Sequence, residues 1–259
     1  MTSILQSQQL RRVARYAKRR IMSTLRNSKQ GVKEALLARI YSSLVCTRDN
    51  MCLKLGLPKK EWHRCLKELE GHKELFGHIE SCIEHRALYW PVETSLDRIQ
   101  ASLLYVITRL IGPDCCIELG ISNGMSSAFV LQALNDNGHG FLWSVDPNVG
   151  EKNLGAFVPS ELRSRWKPIR GRSQEVLHSL FERTGRIDMF IHDSEHVYES
   201  QFFEMLEASQ FLSSSGAVIC DDIQASLAFR SFLRRTGMMG MALKGEQHRS
   251  LLGVAIKKT

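Results

Sequence analysis

From residue 91 onward the chain alternates short apolar runs with longer helix-patterned segments, and this alternation restricts the fold more than any other feature. "CCIELG" reads as a buried strand, "MSSAFVLQALND" as a helix, "GFLWSVD" as a strand, and "KPIRG" as a short strand before the helix "SQEVLHSLFERTG". The same order repeats with "IDMFIHD" then "VYESQFFEMLEASQFL", and with "GAVICDD" then "ASLAFRSFLRRTG". Parallel neighbours need long crossovers, usually helical, so the pattern predicts an α/β domain with a mostly parallel sheet covered on both faces. The last two runs, "GMALKGE" and "SLLGVAIKK", flank only "QHR" and predict a C-terminal antiparallel hairpin. No internal repeat or low-complexity tract interrupts the series.

Residues 1–90 follow a different pattern and are expected to form a helical extension, with the α/β domain spanning 91–259. "KEALLARIYSSLV" and "PKKEWHRCLKELEGHKELF" are helical in character, with Pro58 suited to a first turn and Gly56 and Gly71 as punctuation. His63, His72, His78 and His85 are too scattered to read as a metal set. Charge is concentrated at the start: residues 1–33 hold nine Lys or Arg and no acid, whereas the remaining chain holds 26 basic and 27 acidic residues. Leu10, Val13, Ala17, Ile21 and Leu25 recur at helical steps among these cations, predicting a basic amphipathic helix. Such a helix can lie on an anionic membrane, contact nucleic-acid phosphate, serve as an organellar targeting segment, or dock on the body by its apolar stripe.

Seven cysteines with no C-x-x-C spacing and no early apolar signal segment suggest reduced thiols in a cytoplasmic setting. The longest apolar stretch, "ASLLYVITRLIG", is broken by Arg109 and falls short of the ~20 residues that span a bilayer. A soluble or peripheral protein is expected. At 259 residues and 43% hydrophobic content, the chain can bury a core of its own.

In an open parallel sheet ligands bind beyond the carboxyl ends of the strands, and here those ends carry acids. The first strand ends in Glu118-Leu119-Gly120-Ile121-Ser122-Asn123-Gly124, the second in Asp146, the fourth in His192-Asp193, and the fifth in Asp221-Asp222. Glycines at 120 and 124 permit a sharp turn and a close ligand approach, and the next helix offers its N-terminus. Asp146 ends the strand after Glu118, where a carboxylate can accept hydrogen bonds from both ribose hydroxyls of an adenosine cofactor. Acids at both places, with no phosphate-binding lysine motif, favour an adenosine ligand that is positively charged. S-adenosylmethionine, a sulfonium, fits.

"CIELGISNGMSSAFVLQAL", "LWSVDPN", "IDMFIHDSEHVYESQFFEML" and "GAVICDDI" together resemble the class I S-adenosylmethionine-dependent methyltransferases, within them the group containing metal-dependent sugar and macrolide O-methyltransferases. The resemblance covers roughly residues 91–257 and implies a Rossmann-like seven-stranded sheet whose last strand is inserted antiparallel. It implies that Glu118, Gly120, Ser122 and Gly124 line the methionine end, that Asp146 holds the ribose, that Ser173 lies near adenine, and that His192 packs beside the cofactor. It implies further that Asp193, Asp221 and Asp222 bind Mg²⁺ or another divalent cation, and that His196 is the general base. Where the group often shows "DG-D/S-H", this chain has "DSEH", with Ser194 for glycine.

His192-Asp193-Ser194-Glu195-His196 also matches H-x-x-E-H, a zinc-hydrolase signature when it lies on a helix. The β-prone run Ile187–Ile191 leads directly into His192, so the two histidines are not expected one helical turn apart. Asp193 and Ser194 suit helix N-capping as well. The leading expectation is therefore O-methylation of a sugar or other small hydroxylated metabolite, with a cation acidifying the acceptor hydroxyl and His196 removing its proton. The alternative is an RNA- or membrane-binding protein, or an RNA methyltransferase, using the basic arm; nucleic acid is the less favoured partner because no aromatic-basic interleaving supports it.

Overall fold

The computed structural model describes residues 36–37, 39–245 and 250–257. The chain divides into two compact units, residues 1–43 and 44–259, and the sheet with its helices belongs to the second. In the first, residues 36–37 and 39–41 are helical. The basic amphipathic helix expected at 1–33, with its membrane, nucleic-acid and targeting readings, lies outside the described residues.

Seven strands form one sheet: β1 (Cys115–Leu119), β2 (Phe141–Asp146), β3 (Trp166–Arg170), β4 (Ile187–His192), β5 (Leu212–Cys220), β6 (Met239–Lys244) and β7 (Leu251–Ile256). Their order is β3-β2-β1-β4-β5-β7-β6. β1 pairs parallel with β2 and β4, β2 with β3, and β4 with β5, so all five present their carboxyl ends on one rim. β7 pairs antiparallel with β5 and β6, which is the terminal hairpin expected from the sequence. The strand order reverses between β1 and β4, and such a switch point opens a crevice above the sheet.

The helices are α1 (Arg48–Lys54), α2 (Lys59–Glu70), α3 (Lys73–Glu84), α4 (Arg98–Ile111), α5 (Met125–Asn137), α6 (Ser173–Thr184), α7 (Tyr198–Phe211) and α8 (Ala228–Thr236). Pro58 caps α2 from just outside, one position before the expected first turn. Asp97 caps α4 by accepting from the Gln100 backbone N–H at 3.0 Å, and Gly112 ends it at φ +60°, the left-handed region that glycine enters without steric cost.

The division at 43/44 differs from the boundary expected at residue 90, because α2 packs on α4 and shares its core. Trp62, Cys65 and Leu69 of α2 are buried in one cluster with Leu103 and Val106 of α4 and Phe129 of α5. Burying a side chain such as Leu or Phe stabilises by roughly 1.5–3 kcal/mol, so this seam holds residues 59–70 firmly to the sheet. Polar contacts fix its register. Arg109 donates to both Glu68 oxygens at 2.9 and 3.0 Å, and His72 lies 2.7 Å from the Asp136 carboxylate, which also accepts from Tyr105 at 2.5 Å.

Both sheet edges are guarded. The backbone of residues 44–46 pairs with Ala242 on β6, covering that edge. β3, at the other edge, carries Pro168 with Lys167 and Arg170, residue types that discourage pairing with another chain. Among the described residues, no helix is long and apolar enough to cross a membrane.

Candidate active site at the carboxyl rim of the sheet

The loop after β1 is held in a shape that few residues other than glycine could take. Gly120 has φ +87° and Gly124 +84°. A Cβ on Gly120 would lie 1.9 Å from the Asp193 carbonyl oxygen, so only glycine lets the loops after β1 and β4 touch. A Cβ on Gly124 would meet the Gly155 backbone at 3.0 Å. Asp146, nearly buried at the end of β2, accepts from the Ile121 backbone N–H at 3.0 Å and from that of Asn148 at 2.8 Å. One carboxylate thus ties the glycine loop to the next strand, and each of its oxygens keeps a further lone pair.

Between these loops opens a cleft of about 570 Å³. Six of the residues expected from the sequence line it: Gly120, Ser122, Gly124, Asp146, Ser173 and Asp193. Two do not. Glu118 is fully buried one layer below, where its carboxylate accepts hydroxyl hydrogen bonds from Ser126 at 2.5 Å and from Ser127 and Ser144 at 2.6 Å. Burial pushes its pKa up to about 7 against the pull of those three donors. Glu118 therefore braces the first turn of α5 rather than forming the cleft wall. His192 is likewise fully buried behind the cleft, its Nε2 2.9 Å from Glu204 of α7.

Sequence reasoning missed Trp90, Ser95, Asn123 and Arg172, which also line the cleft. Asn123 is buried and fully used. Its Oδ1 accepts from the Tyr89 and Trp90 backbone N–H groups at 2.8 and 3.1 Å, and its Nδ2 donates to the Trp90 carbonyl at 2.9 Å and to Ser95 Oγ at 3.2 Å. The segment before α4 is thereby fastened to the glycine loop. The one signal in the sequence was a residue with both donor and acceptor capacity inside a short loop bounded by glycines.

At one end of the cleft stands a cluster of titratable groups. Asp193, His196 and Asp221 each present a ligand atom, all within 4.8 Å of one another. Asp221 Oδ1 is buried and has no hydrogen-bond partner among the described residues. Burial, then repulsion from Asp193 and Asp222, drives the Asp221 pKa well above the usual carboxylate range. Asp222 stands apart from this set: it takes a left-handed φ of +48°, opens the 3₁₀ turn Ile223–Ala225, and accepts from Gln224 Nε2 at 2.7 Å. Its other oxygen is 3.9 Å from His196 Nδ1. The three atoms that converge are thus not the expected Asp193, Asp221 and Asp222, because the turn after β5 carries Asp222 to the far side of the His196 ring.

Burial alone would lower the pKa of His196, but Asp193, at 3.6 Å, and then Asp222 and Asp221 outweigh it and raise it to about 9. The H-x-x-E-H run does not form a helical turn. His192 ends β4, residues 193–197 are irregular, and α7 begins at Tyr198. Glu195 accepts from Ser200 at 3.0 Å, and His192 faces Glu204, so the zinc-hydrolase geometry is not present in these residues. All seven cysteines are free.

A family model described as a methyltransferase domain matches residues 117–223, from β1 to the turn after β5. Over that stretch the chain is similar to a methyltransferase domain. A candidate O-methyltransferase of Mycolicibacterium smegmatis is 28% identical over 153 residues, 55% of this chain and 70% of that protein. Another, from Mycobacterium sp. strain KMS, is 28% identical over 119 residues, and there the match spans 46% of this chain and about half (52%) of the relative's length. Among solved structures, the domain has the fold of an O-methyltransferase from Bacillus cereus in complex with SAH, at TM-score 0.56 and 13% identity over 71% of this chain and 90% of that one. It also has the fold of an O-methyltransferase involved in tomaymycin synthesis from Streptomyces achromogenes, in complex with SAM, at TM-score 0.58 and 15% identity over 72% and 90% of the two chains. At these identities the likeness is one of fold.

Proposed function

We propose that the protein is an S-adenosylmethionine-dependent O-methyltransferase that acts on a hydroxyl of a sugar or other small metabolite, assisted by a divalent cation. The observation that carries this reading is the Gly120–Asp193 contact, which places the glycine loop directly against the segment bearing Asp193 and His196. A cofactor seated on the first therefore adjoins an acceptor seated at the second.

The residues present fit both groups. The cleft volume lies within the ~300–1,000 Å³ usual for small-molecule sites. Asp146 keeps acceptor capacity for ribose hydroxyls, and the N-terminus of α5 opens beside Gly124 for a carboxylate. For a cation, Asp193 and Asp221 would supply hard oxygens, with His196 beside them kept as the base, and the unpartnered Asp221 Oδ1 is the kind of buried acceptor that a metal ion satisfies. S-adenosylmethionine, when bound, supplies a methyl group made electrophilic by a sulfonium, and a divalent cation supplies the charge that lowers the pKa of a neighbouring hydroxyl.

The chain's own contribution follows from its charges. Asp193, then Asp222 and Asp221, raise the pKa of His196 to about 9, which favours the imidazolium. A cation held by Asp193 and Asp221 would offset that pull and leave His196 free to act as general base. His196 then takes the proton of the acceptor hydroxyl, while the Gly120 turn and Asp146 hold the methyl donor in line with the exposed oxygen.

The test is transfer of labelled methyl from S-adenosylmethionine to a panel of hydroxylated small molecules, with and without chelator. Transfer that chelator abolishes and Mg²⁺ or Mn²⁺ restores is expected. Full activity in chelator and in Asp193→Asn alike would remove the cation from the account, and labelled nitrogen rather than oxygen would overturn the acceptor class.

A further inference from the structure

Glu204 is an acid where an apolar residue would be expected. It lies on α7 between Phe203 and the buried Met205, is itself almost wholly buried, and acids are rarely so buried without partners. Its partners come from two segments at the cleft. Oε1 accepts from the hydroxyl of Ser173, the first residue of α6 after β3. Oε2 accepts from Ser194 Oγ at 3.1 Å and lies 2.9 Å from His192 Nε2, both at the end of β4. Ser173 and Ser194 both line the cleft. Ser194 directly follows Asp193, and His196 is two residues further on.

We infer that Glu204 is a positioning residue of the cleft: a single buried carboxylate holds the lip after β3 and the lip after β4 in fixed relation, and with the second lip the acid Asp193 and the base His196. The inference rests on the reading of the cleft as a methyl-donor site. A carboxylate suits the task because it is acceptor-only, with about four lone-pair sites, so both serine hydroxyls and the imidazole N–H can point at it together. Hydrogen bonds to a charged acceptor are also shorter and stronger than neutral ones. Nothing inside α7 requires this side chain, since its hydrogen bonds run to the cleft segments.

The experiment uses the full chain and the variants Glu204→Gln, Ser173→Ala and Ser194→Ala, alone and combined. Glutamine keeps the size but only one acceptor oxygen, so three donors compete for it. Hydrogen exchange without ligand is expected to quicken in Glu204→Gln at both 171–174 and 193–196. Binding of S-adenosylhomocysteine should weaken about tenfold, the equivalent of one hydrogen bond to a charged group. kcat should fall by more than the acceptor KM rises, because Asp193 and His196 move with their lip. Adding either serine substitution to Glu204→Gln should cost less than that serine change costs alone, since it removes a bond already lost. Losses that multiply independently, or exchange that is unchanged at either segment, would overturn the inference. If Glu204→Gln does not fold, the Ser173→Ala/Ser194→Ala double variant decides: exchange at wild-type rates in both lips refutes the link. Failure of the wild type to bind S-adenosylhomocysteine would instead count against the cofactor reading, and the exchange comparison would still decide the role of Glu204.

Discussion

Replacing Glu118 by glutamine should change how stability depends on pH, and the structure gives the size of the effect. The carboxyl is fully buried, and burial raises its pKa from 4.5 to about 7. Between those values the folded protein keeps the proton and the unfolded chain has released it, so stability falls as pH rises across that window. At ~1.36 kcal/mol per pH step, the full loss is about 3 kcal/mol, an order-of-magnitude figure that is still a large share of a typical domain's ~5–15 kcal/mol. Glutamine cannot ionise, and it still offers one oxygen to the serines at 126, 127 and 144 while its amide donates to a hydroxyl that rotates to accept. Urea unfolding of both proteins at pH 5 and pH 8 measures the difference. Relative to wild type, Glu118→Gln should gain about 3 kcal/mol between the two pH values. Parallel pH dependence in the two proteins would refute the claim that Glu118 is a desolvated acid rather than a comfortably ionised one.

Gly120→Ala should lower both stability and S-adenosylhomocysteine affinity: the left-handed φ costs an alanine about 1–2 kcal/mol before the contact with Asp193 is counted. Normal melting and binding in that variant would show that the two loops are not in enforced contact. Trp62→Ala should destabilise the fold by about 3–5 kcal/mol, because it removes a fully buried indole from the seam between α2 and α4, and thermal melting reads it out. In chelated protein, His196 has a folded pKa near 9, raised above its ordinary 6.5, so the stability it contributes is complete below about pH 6.5 and lost as pH climbs through 9. His196→Ala should therefore be more destabilised, relative to wild type, at pH 6 than at pH 10; an equal penalty at both would contradict the carboxylate cluster.

The sheet was legible because its strands are short apolar runs separated by helix-length segments, a pattern that permits few topologies. Glycines 120 and 124 and Asp146 were legible for the same reason: strand ends mark the rim, and residue type there states the chemistry. Glu118 and His192 were misplaced because both sit on strands at the same rim, and sequence position does not say whether a strand residue faces cleft or core. The answer came from Ser126, Ser127 and Ser144 in one case and Glu204 in the other, partners up to 26 residues away in the chain. Asp222 lies outside the converging set because the backbone turns left-handed at that residue, a turn that residue type permits but does not announce. The wall formed by Trp90 and Ser95 was invisible because its attachment to Asn123 is a tertiary contact of side chain with distant backbone.

In the proposed enzyme the rim of β1, β2 and β4 binds an adenosine cofactor through Asp146. Titration calorimetry of S-adenosylhomocysteine into the wild type and into Asp146→Ala tests it most directly. One-to-one binding by the wild type and a loss of at least about tenfold in the variant are expected, since each hydrogen bond to a charged group contributes about 1.5–3 kcal/mol. No binding by the wild type, or equal affinity in the two proteins, would contradict it.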